Sequence, residues 1–387
     1  ALPNRLFRNQ GGLRFEDVTA KSGAGDTGWT QAVSHVDFDR DGRQDLIVAN
    51  DYGRNAFLRN LGDGRFEDKA PALGITTAFH SMNVGVADLN DDDHPDIYIS
   101  NIAMLVKDDK YSFPDLNTPL HFDLRALANM RVKESDVLYM SRVEGERLVA
   151  YQPSTDIERG PTSTGWAWDA EFFDFDLDGD EDLYLVNGTN DFHAFAMVYR
   201  RLGNAEDHGE YLLGWSQESK ILFENEGGKL RNAAAKSGAD FVGNSRSTAY
   251  LDFDADGDLD IAVANFHARA RFFRNDAERR GNHWIEVRLV GDPSRGSNRD
   301  AIGARLVATT AEGLRIRREI QGGSGYLSMN PKRQHLGLGR AEAADLRIVW
   351  PNGDEEILRG LAANRAYVLR QGSGVAEAAA AQPAGLE

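Results

Sequence analysis

The segment Asp37-Phe38-Asp39-Arg40-Asp41-Gly42-Arg43-Gln44-Asp45 recurs three times, and the architecture follows from that recurrence. The other copies are Asp88-Leu-Asn90-Asp-Asp92-Asp-His94-Pro-Asp96, Asp174-Phe-Asp176-Leu-Asp178-Gly179-Asp180-Glu-Asp182 and Asp252-Phe-Asp254-Ala-Asp256-Gly257-Asp258-Leu-Asp260. Oxygen side chains at positions 1, 3, 5 and 9, with Gly at position 6 in three copies, suit a hard, flexible cation. Ca²⁺ takes six to eight oxygens at about 2.3–2.6 Å, and the Gly permits the sharp turn that aims them inward. An EF-hand would need a Glu at position 12 and flanking helices. Position 12 here is Val48, Ile99, Leu185 or Val263, inside apolar β-rich runs, so each loop feeds a buried strand instead. Asp and Gly are ordinary turn formers, which could explain one such loop but not four with the same oxygens and the same following strand. The fifteen motif carboxylates would repel one another without a cation. About four Ca²⁺ ions are expected.

A second element precedes each loop. Asn4-Arg-Leu6-Phe-Arg-Asn9 leads through Gly11-Gly12 to Phe15, and Asn55-Ala-Phe57-Leu-Arg-Asn60 leads through Gly62-Asp-Gly64 to Phe66. Lys220-Ile-Leu222-Phe-Glu-Asn225 turns at Gly227-Gly228 into Leu230, and Val137-Leu138-Tyr-Met-Ser-Arg142 turns at Gly145 into Leu148. Short alternating strands around a Gly-containing turn read as β-hairpins. The hairpins recur with a basic period of about 50 residues, and two units carry roughly 30 extra residues each, placed near 103–134 and 190–219. A period of this size with about four strands per unit marks β-propeller blades, which cannot bury their faces without stacked neighbours. The expected fold is therefore all-β, a propeller of about five to seven blades, over residues 1–281.

The bulk numbers narrow the function. The chain has 387 residues, a formal net charge of −17 and no cysteine. Four calcium ions would offset about half of that charge. The rest argues against nucleic acid, whose phosphates recruit Lys and Arg. Disulfides and thiolate metal sites are excluded. No apolar stretch is long enough to span a membrane. The opening Ala1-Leu2-Pro3-Asn4 lacks an initiator Met and a signal peptide, as a processed or partial chain would.

At these residues the chain resembles the FG-GAP/VCBS repeat propellers, relatives of the integrin α-subunit headpiece. The resemblance implies calcium ligation by Asp37, Asp39, Asp41 and Asp45, by Asp88, Asn90, Asp92 and Asp96, by Asp174, Asp176, Asp178 and Asp182, and by Asp252, Asp254, Asp256 and Asp260. The position-7 backbone carbonyls of Arg43, His94, Asp180 and Asp258 would complete each shell. The second loop departs from the pattern, with Asn90 for Asp and Asp93 for Gly, and is expected to be the weakest. Farther on, Asn298-Arg-Asp-Ala-Ile-Gly-Ala-Arg305, Gly322-Gly-Ser-Gly-Tyr-Leu327, His335-Leu-Gly-Leu-Gly339 and Val349-Trp-Pro-Asn-Gly353 resemble the ASPIC/UnbV domain of the cartilage acidic protein family. Alternation in Trp284-Ile-Glu-Val-Arg-Leu-Val290 makes residues 282–371 a small β-sandwich-like domain. Residues 372–387 read as a Gly/Ala-rich tail.

No nucleophile elbow, zinc-protease motif or phosphate loop is present, so no catalytic constellation is expected. Two polar sets remain to be placed. His35, His80, His193 and His267 sit near strand ends, and an axial pocket holding two of them beside an Arg or Tyr would favour an enzyme acting on carbohydrate, of lyase or dehydratase type. Trp166 and Trp168 form a sugar platform or pack beside the third blade. The favoured reading is an exported calcium-binding scaffold that holds a protein or polysaccharide at the cell surface, in the periplasm or outside the cell. Extracellular calcium modules bind at about 10⁻⁴–10⁻³ M, far above cytosolic levels. The insertions are the expected partner surface, through Tyr111, Phe113, Pro114, Phe122 and Met130 in one and Phe192, Phe195, Met197, Tyr199, Tyr211 and Trp215 in the other.

Overall fold

A computed structural model of the chain describes residues 2–51, 53–76, 80–102, 104–107, 130–158, 164–189, 210–212, 218–277 and 281–379. At 104–107, 130–134 and 210–212 only the backbone is described. The chain is all-β, built from small sheets that are antiparallel apart from one strand pair.

Each acidic loop joins the first two strands of a blade. Blade 1 is Thr30–Val36, Asp45–Asn50, Ala56–Gly62 and Arg65–Asp68. Blade 2 is Ser81–Ala87, Asp96–Asn101, Val137–Glu144 and Arg147–Pro153. Blade 3 is Ala167–Phe173, Asp182–Asn187, Ile221–Asn225 and Leu230–Asn232, and blade 4 is Ser245–Leu251, Asp260–Asn265 and Arg271–Phe273. The expected hairpins supply the outer strands, and the leading one, Phe7–Asn9 with Phe15–Asp17, forms a two-stranded sheet of its own. Register repeats as closely as sequence: Val36 pairs with Asp45, Ala87 with Asp96, Phe173 with Asp182 and Leu251 with Asp260. Every inner strand also slips register near its start, between Thr30 and Ala32, Ser81 and Asn83, Ala167 and Asp169, and Ser245 and Ser247. Such a bulge bends the strand and re-aims its side chains.

The cores lie between blades, as stacking demands. Ile47, Phe57, Ile97 and Tyr151 belong to the core shared by blades 1 and 2, Tyr98, Leu138, Leu183 and Phe223 to that of blades 2 and 3, and Tyr184, Leu222, Tyr250 and Val263 to that of blades 3 and 4. Inner strands approach so closely that a Cβ on Gly85 would lie 2.8 Å from the Ala170 carbonyl oxygen.

Residues 283–378 form two four-stranded sheets. One runs Gln334–Gly339, His283–Val290, Arg365–Arg370, Ala376–Ala378; the other runs Arg315–Glu319, Arg305–Thr310, Ala343–Val349, Glu355–Ala362. Ile285, Val287, Leu306, Ile316, Leu346 and Trp350 are among the residues of one core shared by both sheets. The expected tail from 372 is not wholly a tail. Ala376–Ala378 pairs with Tyr367–Leu369, because an edge strand needs only backbone hydrogen bonds and tolerates an Ala-rich sequence.

The two insertions meet. Met104–Lys107 pairs with Met130–Glu134 on one side and with Glu210–Leu212 on the other, so both contribute to a single three-stranded sheet. The aromatic residues expected at a partner surface lie outside the described residues, apart from Met130 and Tyr211 in this sheet, as does His193.

Candidate metal centres

The four loops share one backbone. Position 4 is left-handed at Arg40, Asp91, Leu177 and Ala255 (φ 59–65°), and so is position 6 at Gly42, Asp93, Gly179 and Gly257 (φ 70–104°). Position 9 acts as a clasp. Asp45, Asp96, Asp182 and Asp260 each accept the position-2 N–H on one oxygen and, on the other, the N–H of a third-strand residue or the residue just past that strand, Asn60, Ser141, Asn225 and Asn275, at 2.7–2.8 Å. Position 1 folds the turn: Asp37 accepts from the Asp41 and Gly42 amides, Asp88 from those of Asp92 and Asp93, and Asp174 from that of Gly179. Burial is the largest cause pushing Asp37, Asp88 and Asp252 up to about 6 and Asp174 to about 7.

Three loops fit a cation. Carboxylate oxygens of Asp37, Asp39 and Asp41, of Asp174, Asp176 and Asp182, and of Asp252, Asp254 and Asp260 lie within 4.8 Å of one another in each set. One oxygen each of Asp39, Asp174 and Asp252 is buried without a hydrogen-bond donor. Such orphans are costly unless something positive meets them. The second loop makes no such set among the described residues.

The C-terminal sheet lies on these loops, and three consecutive residues of its edge strand each reach a different one. Glu319 accepts from the Asp37 amide at 3.1 Å, Gln44 at 2.8 Å and Arg40 at 2.9 Å, all in loop 1. Arg317 pairs with Asp91 and Asp93 of loop 2 and lies 3.6 Å from Asp88. Arg318 pairs with Glu181 of loop 3 at 3.3 Å. Loop 4 is met by Trp284, against Gly257, and by His335, whose Nε2 lies 3.0 Å from the Gly257 carbonyl oxygen. An 820 Å³ cavity remains between the loops and the sheet, lined in part by Asp39, Asp88, Asp252, Arg305, Arg315 and Arg317.

A buried polar cluster between the inner strands had no sequence signal beyond two acids at alternate strand positions. Asp169 accepts from Asn83 at 2.8 Å, the Thr248 amide at 2.8 Å, the Tyr326 amide at 2.9 Å and Ser328 at 3.1 Å. Glu171 accepts from Asn83 at 3.0 Å and Asn330 at 3.3 Å. The Tyr326–Asn330 stretch of the C-terminal region thus reaches the inner strand of blade 3, whose two acids also bind Asn83 of blade 2 and the Thr248 amide of blade 4. Burial holds both carboxyls well above the usual range, with the charge of Asp169 adding at Glu171.

The imidazoles do not gather there. His35 sits at the loop end of its strand, between Gln44 and the Gly322 amide, whereas His80 precedes the opposite end of its strand and His267 stacks on Phe266 past the far end of blade 4. Trp168 is covered by Trp166, Tyr326 and the Arg246 guanidinium, so the pair packs rather than offering an open platform.

Two stretches of the chain, one among the Asp-rich blades and one in the docked β-sandwich, match known families. Residues 37–99 match the family described as FG-GAP-like repeat, and residues 294–376 that described as ASPIC and UnbV. The chain is homologous to cartilage acidic protein 1: it is 26% identical to that of Mus musculus over 91% of this chain and 46% of the relative, and 25% identical to that of Homo sapiens over 91% and 45%. It therefore spans less than half the length of these relatives. Among solved structures, the V. cholerae biofilm matrix protein Bap1 aligns at 12% identity over 89% of this chain and 51% of that one, with a TM-score of 0.23, too low to carry any argument. Among the described residues no helix is long and apolar enough to cross a membrane.

Proposed function

We propose that the chain is a calcium-dependent β-propeller-type scaffold, acting outside the cytoplasm and presenting a binding surface to a protein or polysaccharide. The observation that carries this is the trio of carboxylate sets with orphaned oxygens in loops 1, 3 and 4. Asp37, Asp39 and Asp41, then Asp174, Asp176 and Asp182, then Asp252, Asp254 and Asp260 would hold the ions, with position-7 carbonyls completing the shells. Bound calcium would neutralise the loops and fix them under the C-terminal sheet. The proposed division is a propeller over 1–281 and an ASPIC/UnbV-like domain over 282–371. The joined insertions are the proposed partner surface.

Mass action supplies the test. A ligand that binds only the folded state stabilises it by about 2.7 kcal/mol per site at 100 Kd. EGTA should lower the melting temperature by many degrees, Ca²⁺ should restore it, and Mg²⁺ should not, because it demands octahedral geometry and keeps its waters. An unchanged melting curve in EGTA after prolonged dialysis overturns the reading. Binding to a glycan array in Ca²⁺ but not in EGTA would select polysaccharide as the partner class.

A further inference from the structure

The second loop keeps the acidic pattern and the shared position-1 and position-9 bonds, yet departs from the other three at position 3, Asn90, and position 6, Asp93. Its position-5 carboxylate, Asp92, has both oxygens engaged, one by the His94 amide at 2.9 Å and the other by Ser141 Oγ at 2.7 Å and Asn90 Nδ2 at 3.1 Å. Asn90 therefore turns a donor towards Asp92, where the other loops have a third carboxylate. Both oxygens of Asp88 and both of Asp96 accept backbone amides, as those of Asp37 and Asp45 do in loop 1. No carboxylate oxygen of this loop is buried and orphaned, whereas Asp39, Asp174 and Asp252 each leave one in the other three.

A guanidinium lies against the loop, bound at positions 4 and 6 and facing position 1. The Arg317 side chain, 9% exposed, pairs with Asp91 and Asp93 and faces Asp88 at 3.6 Å. Arginine stays protonated at any pH the fold tolerates, and its planar fork matches two carboxylates at once. A calcium ion entering here would have to break the Asn90 and Ser141 bonds to Asp92 and would sit against the guanidinium that faces Asp88. Asp93, with a left-handed φ of 70° where the other loops have Gly, is held by the same arginine.

We infer that loop 2 takes no calcium in the folded chain, and that Arg317 serves there as a permanent, protein-supplied cation pinning the C-terminal sheet to the propeller. This rests on the calcium reading of the other three loops. The result is one calcium-independent anchor beside three loops that would hold the ion.

Equilibrium dialysis of the full chain against ⁴⁵Ca²⁺ tests it. The expected stoichiometry is three, matching the three carboxylate sets. Asp88→Asn should leave that number unchanged, whereas Asp174→Asn should lower it by one. Arg317→Gln, if it folds, should gain a weak fourth site. Four ions in the unmodified chain, with one lost in Asp88→Asn, would overturn the inference while sparing the calcium reading. Binding of no ions would overturn both.

Discussion

The acidic loops of blades 1 and 4 have an arginine of their own blade beside them, and those of blades 2 and 3 do not. The residues whose amides clasp the position-9 Asp (Asn60, Ser141, Asn225 and Asn275) follow Arg59, Met140, Glu224 and Arg274 respectively. Arg59 reaches back to Asp39 and Asp41, and Arg274 lies 4.0 Å from Asp254. Met140 and Glu224 offer no cation. Arg317 and Arg318 of the C-terminal sheet enter those two loops, while Arg305 of that sheet lies 3.8 Å from Asp37 in loop 1. A repeat can thus omit a charge that a neighbouring domain supplies, and docking of that domain then becomes part of completing the loop.

The contrast breaks most visibly at the arginines. Arg318 and Glu181 are 10% and 13% exposed, so Arg318→Ala strands a buried carboxylate. Breaking such a pair costs roughly 3–4 kcal/mol. Arg274 is 53% exposed, and Arg274→Ala should cost under about 1 kcal/mol. Urea unfolding in saturating Ca²⁺ measures both. Equal losses would mean that borrowed and local arginines are equivalent.

The glycines come next. A Cβ on Gly257 would overlap the Trp284 indole, whereas one on Gly42 meets nothing within 4 Å. Both have positive φ, 103° and 87°, so each Gly→Ala carries left-handed strain of roughly 1–2 kcal/mol. Gly257→Ala should add overpacking, for a loss of roughly 2–3 kcal/mol in all. It should also expose Trp284 to solvent quenching of its fluorescence, which Gly42→Ala should not.

A transplant sharpens the comparison at lower cost. Placing an arginine in blade 3 by Glu224→Arg, where blade 1 has Arg59, should recover roughly 0.5–1 kcal/mol of the Arg318→Ala loss. A double-mutant cycle with no coupling would show that position 224 cannot serve the loop.

The loops and hairpins were legible because oxygen spacing and Gly-containing turns are local, and repetition removed the ambiguity of each copy. The left-handed position 4 left no trace, since Arg40, Asp91, Leu177 and Ala255 share no side-chain chemistry and the conformation is imposed by the position-1 and position-9 carboxylates. The rule distinguishing Met140 and Glu224 from Arg59 and Arg274 was also hidden, because the compensating Arg317 and Arg318 stand more than 90 residues away in sequence. Asp169 and Glu171 read as the polar face of a strand. They are enclosed by Asn83 and Thr248 of the neighbouring blades and by the Tyr326–Asn330 segment, all distant in sequence.

That segment gives the smallest effect, and it separates the inner strands from the loops. Burial raises the carboxyl pKa of Glu171 and Asp169 in the folded chain, so the folded state keeps protons that the unfolded chain, with carboxyls near about 4, releases. The unfolded state then binds fewer protons, and stability falls as pH rises. The stabilising contribution is fully present below the unfolded pKa and is lost as pH climbs through the raised folded value, across weakly acidic to neutral conditions. The charged groups facing Glu171 are few: Asp169 is its acidic neighbour, while Asn83, Ser324 and Asn330 are neutral donors. Glu171→Gln keeps the shape and removes the proton, so its melting temperature should decline less than that of the unmodified chain between pH 5 and pH 8. Saturating Ca²⁺ should keep the loop carboxylates ionised throughout and take them out of the comparison. Parallel declines in the two proteins would mean that Glu171 is already ionised when folded, and that the inner-strand cluster holds the C-terminal segment by hydrogen bonds to a full carboxylate pair.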